Sequence, residues 1–343
     1  MRDDPGLDHD RISACLTAHY ALDVTEIAYL PIGYDLNAFV YKVMTTGDES
    51  YFLKIRCGPV NETALVVPRA LLDRGIPNIL APLPTQTADL WCALDDPGEF
   101  TVVLYPFIEG ENAMIAGMSG DQWQAFGTTL NSVHRSGLEA EFRHLLPSET
   151  FAIPSAALVE RVGAVAAFGP EEMPIAARFA EFWCANQEKI DQTLARAREL
   201  GRSLQAKRFD HVLCHTDIHA ANILVADSGE IYLIDWDGPM IAPRERDLFL
   251  VVGSRVARRV GTHEEDRFFA GYGPVEIDPG ALIYYRYERI IQDLGEFGQS
   301  IFLASDLSDA ARQAEADLAT AMIVPGGDID RAEVLARLRF PGG

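Results

Sequence analysis

The sequence predicts an α+β protein of two lobes, a small N-terminal one built on an antiparallel sheet and a larger, mostly helical C-terminal one. Three observations support this. Alternating or β-branched runs at 24–30, 38–43, 51–56, 90–94 and 101–105 are separated by turn-rich segments. From Ser119 onward the apolar spacing changes to threes and fours, the helical period. Between the two regimes, Tyr105-Pro106-Phe107-Ile108-Glu109-Gly110 breaks the pattern with a proline and a glycine. The expected organisation is therefore a lobe over 1–105, a hinge over 106–110 and a second lobe over 111–343.

Taken in order, residues 8–20 read as a helix with Ile12, Leu16 and Tyr20 on one face. The loop 31–37, with a single Gly33, joins the first two strands, and Thr45 to Ser50 is a hairpin connection into Tyr51–Arg56. Val60 to Asp73 has a helical pattern, in which Pro68 implies a kink or a later start, and Gly75 and Pro77 end it. Ser119 with Gln122 forms a capping box before the stripe Trp123, Phe126, Leu130 and Val133. Residues 140–205 hold further helices marked by Ile175, Phe179, Trp183, Ile190 and Leu194. Ala281 to Leu303 is a long amphipathic helix, with Ile283, Tyr287, Ile290, Leu294, Phe297 and Ile301 on its apolar face.

The densest chemistry lies at Phe209–Gly238. A polar turn presents His215-x-Asp217-x4-Asn222, two short β-branched runs follow around Asp227-Ser228-Gly229, and Asp235 closes the second. This spacing is the catalytic-loop and metal-aspartate signature of kinases. A carboxylate such as Asp217 can orient a hydroxyl and accept its proton, with His215 supporting the loop. The amide of Asn222 and the carboxylate of Asp235 are oxygen ligands suited to Mg²⁺, which keeps its other positions for phosphate and water. An alternative is zinc, since His211, His215 and His219 would share a face if this segment were helical. The β-branched residues after Asn222 argue against that helix.

The kinase reading assigns the upstream residues. Lys54, between Leu53 and Ile55, would meet nucleotide phosphates, because a lysine within an apolar strand needs an anion. Glu62 would hold that lysine. Gly33 and Asn37 fall in the nucleotide-covering loop, and the backbone of Tyr105, Phe107 and Ile108 would take the adenine edge.

With 29 basic and 51 acidic residues the formal charge is −22. Nucleic acid and anionic membranes are poor partners for such a surface, whereas a cationic small molecule is attracted to it. Five cysteines without a C-x-x-C pair suit a reducing compartment. The first ten residues lack the features of a signal peptide and no apolar run approaches a membrane span, so a cytoplasmic monomer is expected.

His215-Thr216-Asp217-Ile218-His219-Ala220-Ala221-Asn222 with Ile234-Asp235-Trp236-Asp237 resembles the aminoglycoside phosphotransferase family. Protein kinases carry a lysine two residues after the catalytic aspartate, where this chain has His219, and they follow the metal aspartate with a long activation segment. Asp35–Phe39, Ile234–Leu248 and Tyr284–Ile291 are similar to the spectinomycin-phosphorylating branch. Thr216, where the family more often has Gly or Ser, and Pro68 depart from the pattern.

The resemblance implies a protein-kinase-like fold and ATP-dependent, Mg²⁺-assisted transfer to a hydroxyl of an aminocyclitol antibiotic, with GTP open as donor. Relatives with this fold act on choline, homoserine or sugars, and a silent ligand-binding relative is the alternative of another class. Asp237, Glu288 and Asp293 are the residues expected to meet acceptor ammonium groups beside Asp217. Asp247 is expected to support the catalytic loop.

Overall fold

The structure, a computed structural model, describes residues 4–32, 37–94, 100–169, 173–253, 260–304 and 307–339. The elements run α1 (His9–Tyr20), β1 (Val24–Leu30), β2 (Ala38–Thr45), β3 (Ser50–Cys57), α2 (Thr63–Asp73), β4 (Cys92–Ala93) and β5 (Phe100–Pro106). They continue through β6 (Gly110–Asn112), α3 (Ala113–Ala116), α4 (Gly120–His134), α5 (Leu138–Glu141), α6 (Ala156–Phe168), α7 (Pro174–Ala185) and α8 (Gln187–Gln205). After β7 (His211–Cys214) come β8 (Ile223–Ala226), β9 (Ile231–Leu233), β10 (Met240–Pro243) and α9 (Glu245–Leu248). The last helices are α10 (Thr262–Tyr272), α11 (Pro279–Leu303), α12 (Asp309–Ile323) and α13 (Asp328–Arg339).

The chain forms two compact units, each discontinuous in sequence. The first comprises Met1–Pro147, Val212–Ile241 and Leu250–Pro274; the second comprises Ser148–His211, Ala242–Phe249 and Val275–Gly343.

In the first unit, β1-β2-β3-β5-β4 form an antiparallel sheet. Ile12 and Leu16 of α1 pack on one face of it, against Tyr41, Val43, Leu53, Ile55, Val102 and Leu104. Side chains alternate across a strand, so burying Leu53 and Ile55 under α1 sends Lys54 to the opposite face. Lys54 is there paired in register with Val40 on β2 and Val103 on β5.

A second sheet, β6-β8-β9, flanks the 215–222 loop in sequence. Gly110 reads as a chain breaker, yet it pairs with Ala226, and a Cβ on it would lie 2.2 Å from the Val225 carbonyl. Only glycine permits that approach. Asn78 ties β9 to the N-terminal region: its backbone carbonyl accepts from Leu233 N–H at 2.8 Å and its Nδ2 donates to the Ile231 carbonyl at 2.8 Å. The α4 capping box forms as its sequence predicts, with Ser119 and Gln122 bonded reciprocally. Behind it, α4 meets α10 closely enough that a Cβ on Gly127 would lie 2.0 Å from the Phe268 carbonyl.

The second unit is helical. Val159, Val162, Phe179, Trp183, Ile190, Leu194, Tyr287, Ile291 and Leu294 form its core around α11. Glu288 turns inward from this helix and is hydrogen-bonded to Arg246 of α9, with 9% and 14% of the respective side chains exposed. The Arg246 guanidinium also lies over the Tyr285 ring, 5.2 Å from its centroid. Removing one member of a buried pair leaves an uncompensated charge, so Glu288→Gln is expected to lower stability by about 3–5 kcal/mol. Thermal or denaturant unfolding measures this directly, and an unchanged midpoint would contradict the pairing.

Two elements differ from their sequence reading. The helix expected from Val60 starts at Thr63, with Pro68 buried inside it. The strand expected over 90–94 is reduced to Cys92–Ala93, because only those residues pair with β5. Among the described residues, no helix is long and apolar enough to cross a membrane.

Candidate active site

The site assembles in the first unit from β3, the 215–222 loop and the segment after β9. His215 is fully buried and fixes the loop at both ring nitrogens. Its Nε2 donates to the Ile234 carbonyl at 2.9 Å and its Nδ1 accepts from Asp217 N–H at 3.4 Å, which sets the tautomer. Its ring packs on Trp236 with centroids 4.5 Å apart. His211 lies on a strand, His215 is committed to backbone and His219 caps a turn, so these histidines share no helical face and the zinc alternative fails.

Asn222 Nδ2 donates to the Asp217 carbonyl at 2.8 Å and to its Oδ2 at 3.4 Å. With that nitrogen committed, Asn222 Oδ1 is the atom left for a cation. The Asn222 carbonyl accepts from Ile234 N–H at 3.1 Å, so one backbone hydrogen bond holds Asn222 beside the residue preceding Asp235. The Asp217 side chain is 42% exposed and open to an incoming group. His219 faces it, with Nε2 3.5 Å from Asp217 Oδ1, while His219 Nδ1 accepts from Ala221 N–H at 3.2 Å. In the neutral ring the proton therefore sits on Nε2, toward Asp217.

Asp235 is exposed, though the surrounding protein removes part of its hydration. Burial and the neighbouring Asp237 charge raise its pKa above the ordinary carboxylate value, against the opposing pull of Lys54 and His215. Two carboxylates this close lack sufficient positive charge, and Asp235 and Asn222 Oδ1 are oxygen donors of the kind that suits Mg²⁺. Asp235 also has φ +63°, a left-handed conformation that aspartate tolerates.

Thr216 has φ +77°, where a β-branched residue is strained. A glycine there would be free of that strain. Here Thr216 Oγ1 donates to the Gly238 carbonyl at 2.8 Å and tethers the loop to the segment after Asp235. Thr216→Val keeps the strain and loses the tether, at an expected cost of about 1 kcal/mol. Thr216→Gly loses the same bond but relieves roughly 1–2 kcal/mol of strain, so it should be near neutral. Equal destabilisation by both variants would remove the strain from this explanation.

The carboxylate facing Lys54 is Asp237, with Oδ2 3.8 Å from Nζ, and not Glu62. Glu62 sits exposed as the N-cap residue of α2. Asn61 Nδ2 instead donates to the Asp237 carbonyl at 2.8 Å. Tyr105 lies under the two acidic residues, and burial with the Asp237 and Asp235 charges pushes its hydroxyl pKa up. Phe107 N–H continues the sheet by donating to the Ser50 carbonyl at 3.2 Å, so it is not free for an adenine. Ile108 is the next residue whose backbone could serve. The Asn37 carbonyl accepts from Cys57 N–H at 2.8 Å, and Gly33 lies outside the described residues.

A model of the phosphotransferase enzyme family, APH, matches residues 31–284. The chain belongs to this family. This phosphotransferase-family chain is similar to spectinomycin phosphotransferase APH(9)-Ia, solved in complex with ADP and spectinomycin, at 30% identity over 96% of this chain and 98% of that one, with TM-score 0.85. The AMP-bound form of the same enzyme superposes with TM-score 0.81 over 94% and 98% of the two chains. Protein StrN of Streptomyces griseus is 27% identical over 218 residues, 59% of this chain and 66% of that relative's length. The two-lobed, kinase-like α+β fold predicted from sequence is thus the fold of the family.

Of the residues expected to recognise an acceptor, Asp237 is in the first unit beside Lys54, whereas Glu288 and Asp293 are in the second. Asp293 Oδ1 accepts from Arg289 Nε at 2.8 Å, and Glu288 is held by Arg246. Asp247 is fully buried in α9. The contributions of His219, Trp236 and Asn61 were not assigned from sequence. The histidine two residues after Asp217 was the available signal.

Proposed function

We propose that the protein transfers the γ-phosphoryl group of ATP, with Mg²⁺, to a hydroxyl of an aminocyclitol antibiotic of the spectinomycin type. The carrying observation is the convergence of Asp217, Asn222, Asp235 and Lys54 in one compact unit. The similarity to spectinomycin phosphotransferase over nearly the full length of both chains supports the acceptor class.

Asn222 Oδ1 and Asp235 would hold the metal, which when bound screens the phosphate charge. Lys54, turned off the apolar face of the sheet, would meet the α and β phosphates in place of Asp237. Asp217 would orient the acceptor hydroxyl and take its proton as the oxygen attacks phosphorus. His219 Nε2, 3.5 Å from Asp217 Oδ1, would steady the carboxylate, and His215 fixes the loop backbone. Stabilisation of the transferring group is electrostatic, so the arrangement of these charges is the catalytic device. Asp237 adds negative charge near the reacting end and would attract an acceptor ammonium group once Lys54 turns to phosphate.

Nucleotide turnover measured across aminocyclitols, choline, homoserine and sugars tests this reading. It expects the highest kcat/KM with spectinomycin. Preference for choline or homoserine would replace the acceptor assignment, and ligand binding without turnover of any acceptor would favour a silent binding protein.

A further inference from the structure

On the face of the N-terminal sheet that packs against α1, two cysteines meet. Cys15 of α1 and Cys92 of β4 are both buried, and their sulfurs lie 3.6 Å apart. His19 follows Cys15 by one helical turn, and the ligand atoms of Cys15, His19 and Cys92 all fall within 4.8 Å of one another. No residue of this cluster takes part in the phosphoryl-transfer site.

The distances match a particular chemistry. Two thiolates bound to a zinc-sized cation at about 2.3 Å and tetrahedral angles sit about 3.8 Å from each other. A disulfide needs sulfurs about 2.05 Å apart and would have to pull α1 toward β4. The third donor, an imidazole, completes a sulfur-and-nitrogen set selective for soft or borderline cations over Mg²⁺. His19 is exposed, so the cluster can be reached from solvent, while burial of both sulfurs keeps water from competing for them. Without a cation the two sulfurs share a hydrogen bond, and burial disfavours their ionisation.

We propose that Cys15, His19 and Cys92 form a binding site for a zinc-class d¹⁰ divalent cation that staples α1 to the edge strand β4. Binding replaces the two thiol protons, which are released to solvent, with two metal–sulfur bonds and one metal–nitrogen bond; no oxidant is involved. Because β4 pairs with β5 through Cys92 and Val102, the staple would stiffen the sheet edge next to the strand that leads to Tyr105.

The test uses the full chain in a Cys57→Ser, Cys184→Ser background, which removes the two exposed thiols. Co²⁺ is titrated as a spectroscopic probe and Zn²⁺ is measured by competition with a chromophoric chelator. One equivalent should bind, with a sulfur-to-cobalt charge-transfer band that Zn²⁺ displaces and with a rise in Tm. Cys15→Ser or Cys92→Ser should abolish the band. His19→Ala, at an exposed position that leaves the fold intact, should weaken binding by about tenfold or more, since loss of even an indirect partner costs 10–100-fold in such sites. Three results would each overturn the proposal: no stoichiometric binding to the folded chain, affinity unchanged in His19→Ala, or a Cys15–Cys92 disulfide formed with peroxide in a chain that binds neither cation.

Discussion

Replacing Asp217 by Ala is expected to lower kcat by about 10²–10⁴ while leaving Tm within a degree or so of the parent. The first expectation comes from position: this carboxylate is open to an incoming group, with its oxygens bracketed by Asn222 Nδ2 and His219 Nε2. The second comes from how the loop is held. Asn222 Nδ2 bonds more closely to the Asp217 carbonyl than to its side chain, and the Asp217 N–H bonds to His215; truncation touches neither. Acceptor and nucleotide KM should change little, since the carboxylate acts on the proton in flight and not on binding. A variant that retains most of its kcat would show that the hydroxyl is activated by another group. A large fall in Tm would show that Asp217 is part of the loop's structure.

Asp235→Asn is expected to remove about 10² or more from the rate and, in the absence of metal, to raise stability near neutral pH. These opposite effects share a cause. The Asp235 carboxyl is held above its usual pKa by partial desolvation and by Asp237, so its charge costs stability until a cation arrives. For an acid with a raised folded-state pKa, the sign is fixed. The variant and parent should be equally stable well below the ordinary aspartate pKa, and the variant's advantage should grow as pH rises through the folded-state pKa. Asparagine also tolerates the left-handed backbone at this position, so no strain is added. Unfolding midpoints across pH with and without Mg²⁺ and nucleotide measure both effects. The ligand-induced rise in Tm should be smaller in the variant, and a destabilised variant in metal-free buffer would contradict the electrostatic reading.

Much of this architecture was legible because its causes are local. Alternation around Leu53 and Ile55 put Lys54 on the far face, Ser119 and Gln122 announced the start of α4, and Asp227-Ser228-Gly229 marked the turn between β8 and β9. The spacing from His215 to Asn222 survives because it is a single loop whose bonds run between near neighbours. What was not legible depends on distant chain segments. Nothing local assigns Asp237 to Lys54, since the two are joined by tertiary packing and Glu62 has the more kinase-like sequence position. Gly110 looks like a breaker until Val225 is seen to approach it. Glu288 looks like part of a polar helix face until Arg246 is found buried against it.

Following the γ-phosphate itself separates phosphoryl transfer from simple nucleotide hydrolysis. With labelled ATP, Mg²⁺ and spectinomycin, the label should appear as a phosphate ester on the acceptor, in step with ADP release, and should vanish in Asp217→Ala. Release of label only as inorganic phosphate at a rate indifferent to acceptor, or equal esterification by the Asp217→Ala protein, would contradict the assignment of this site as a hydroxyl-directed phosphotransferase.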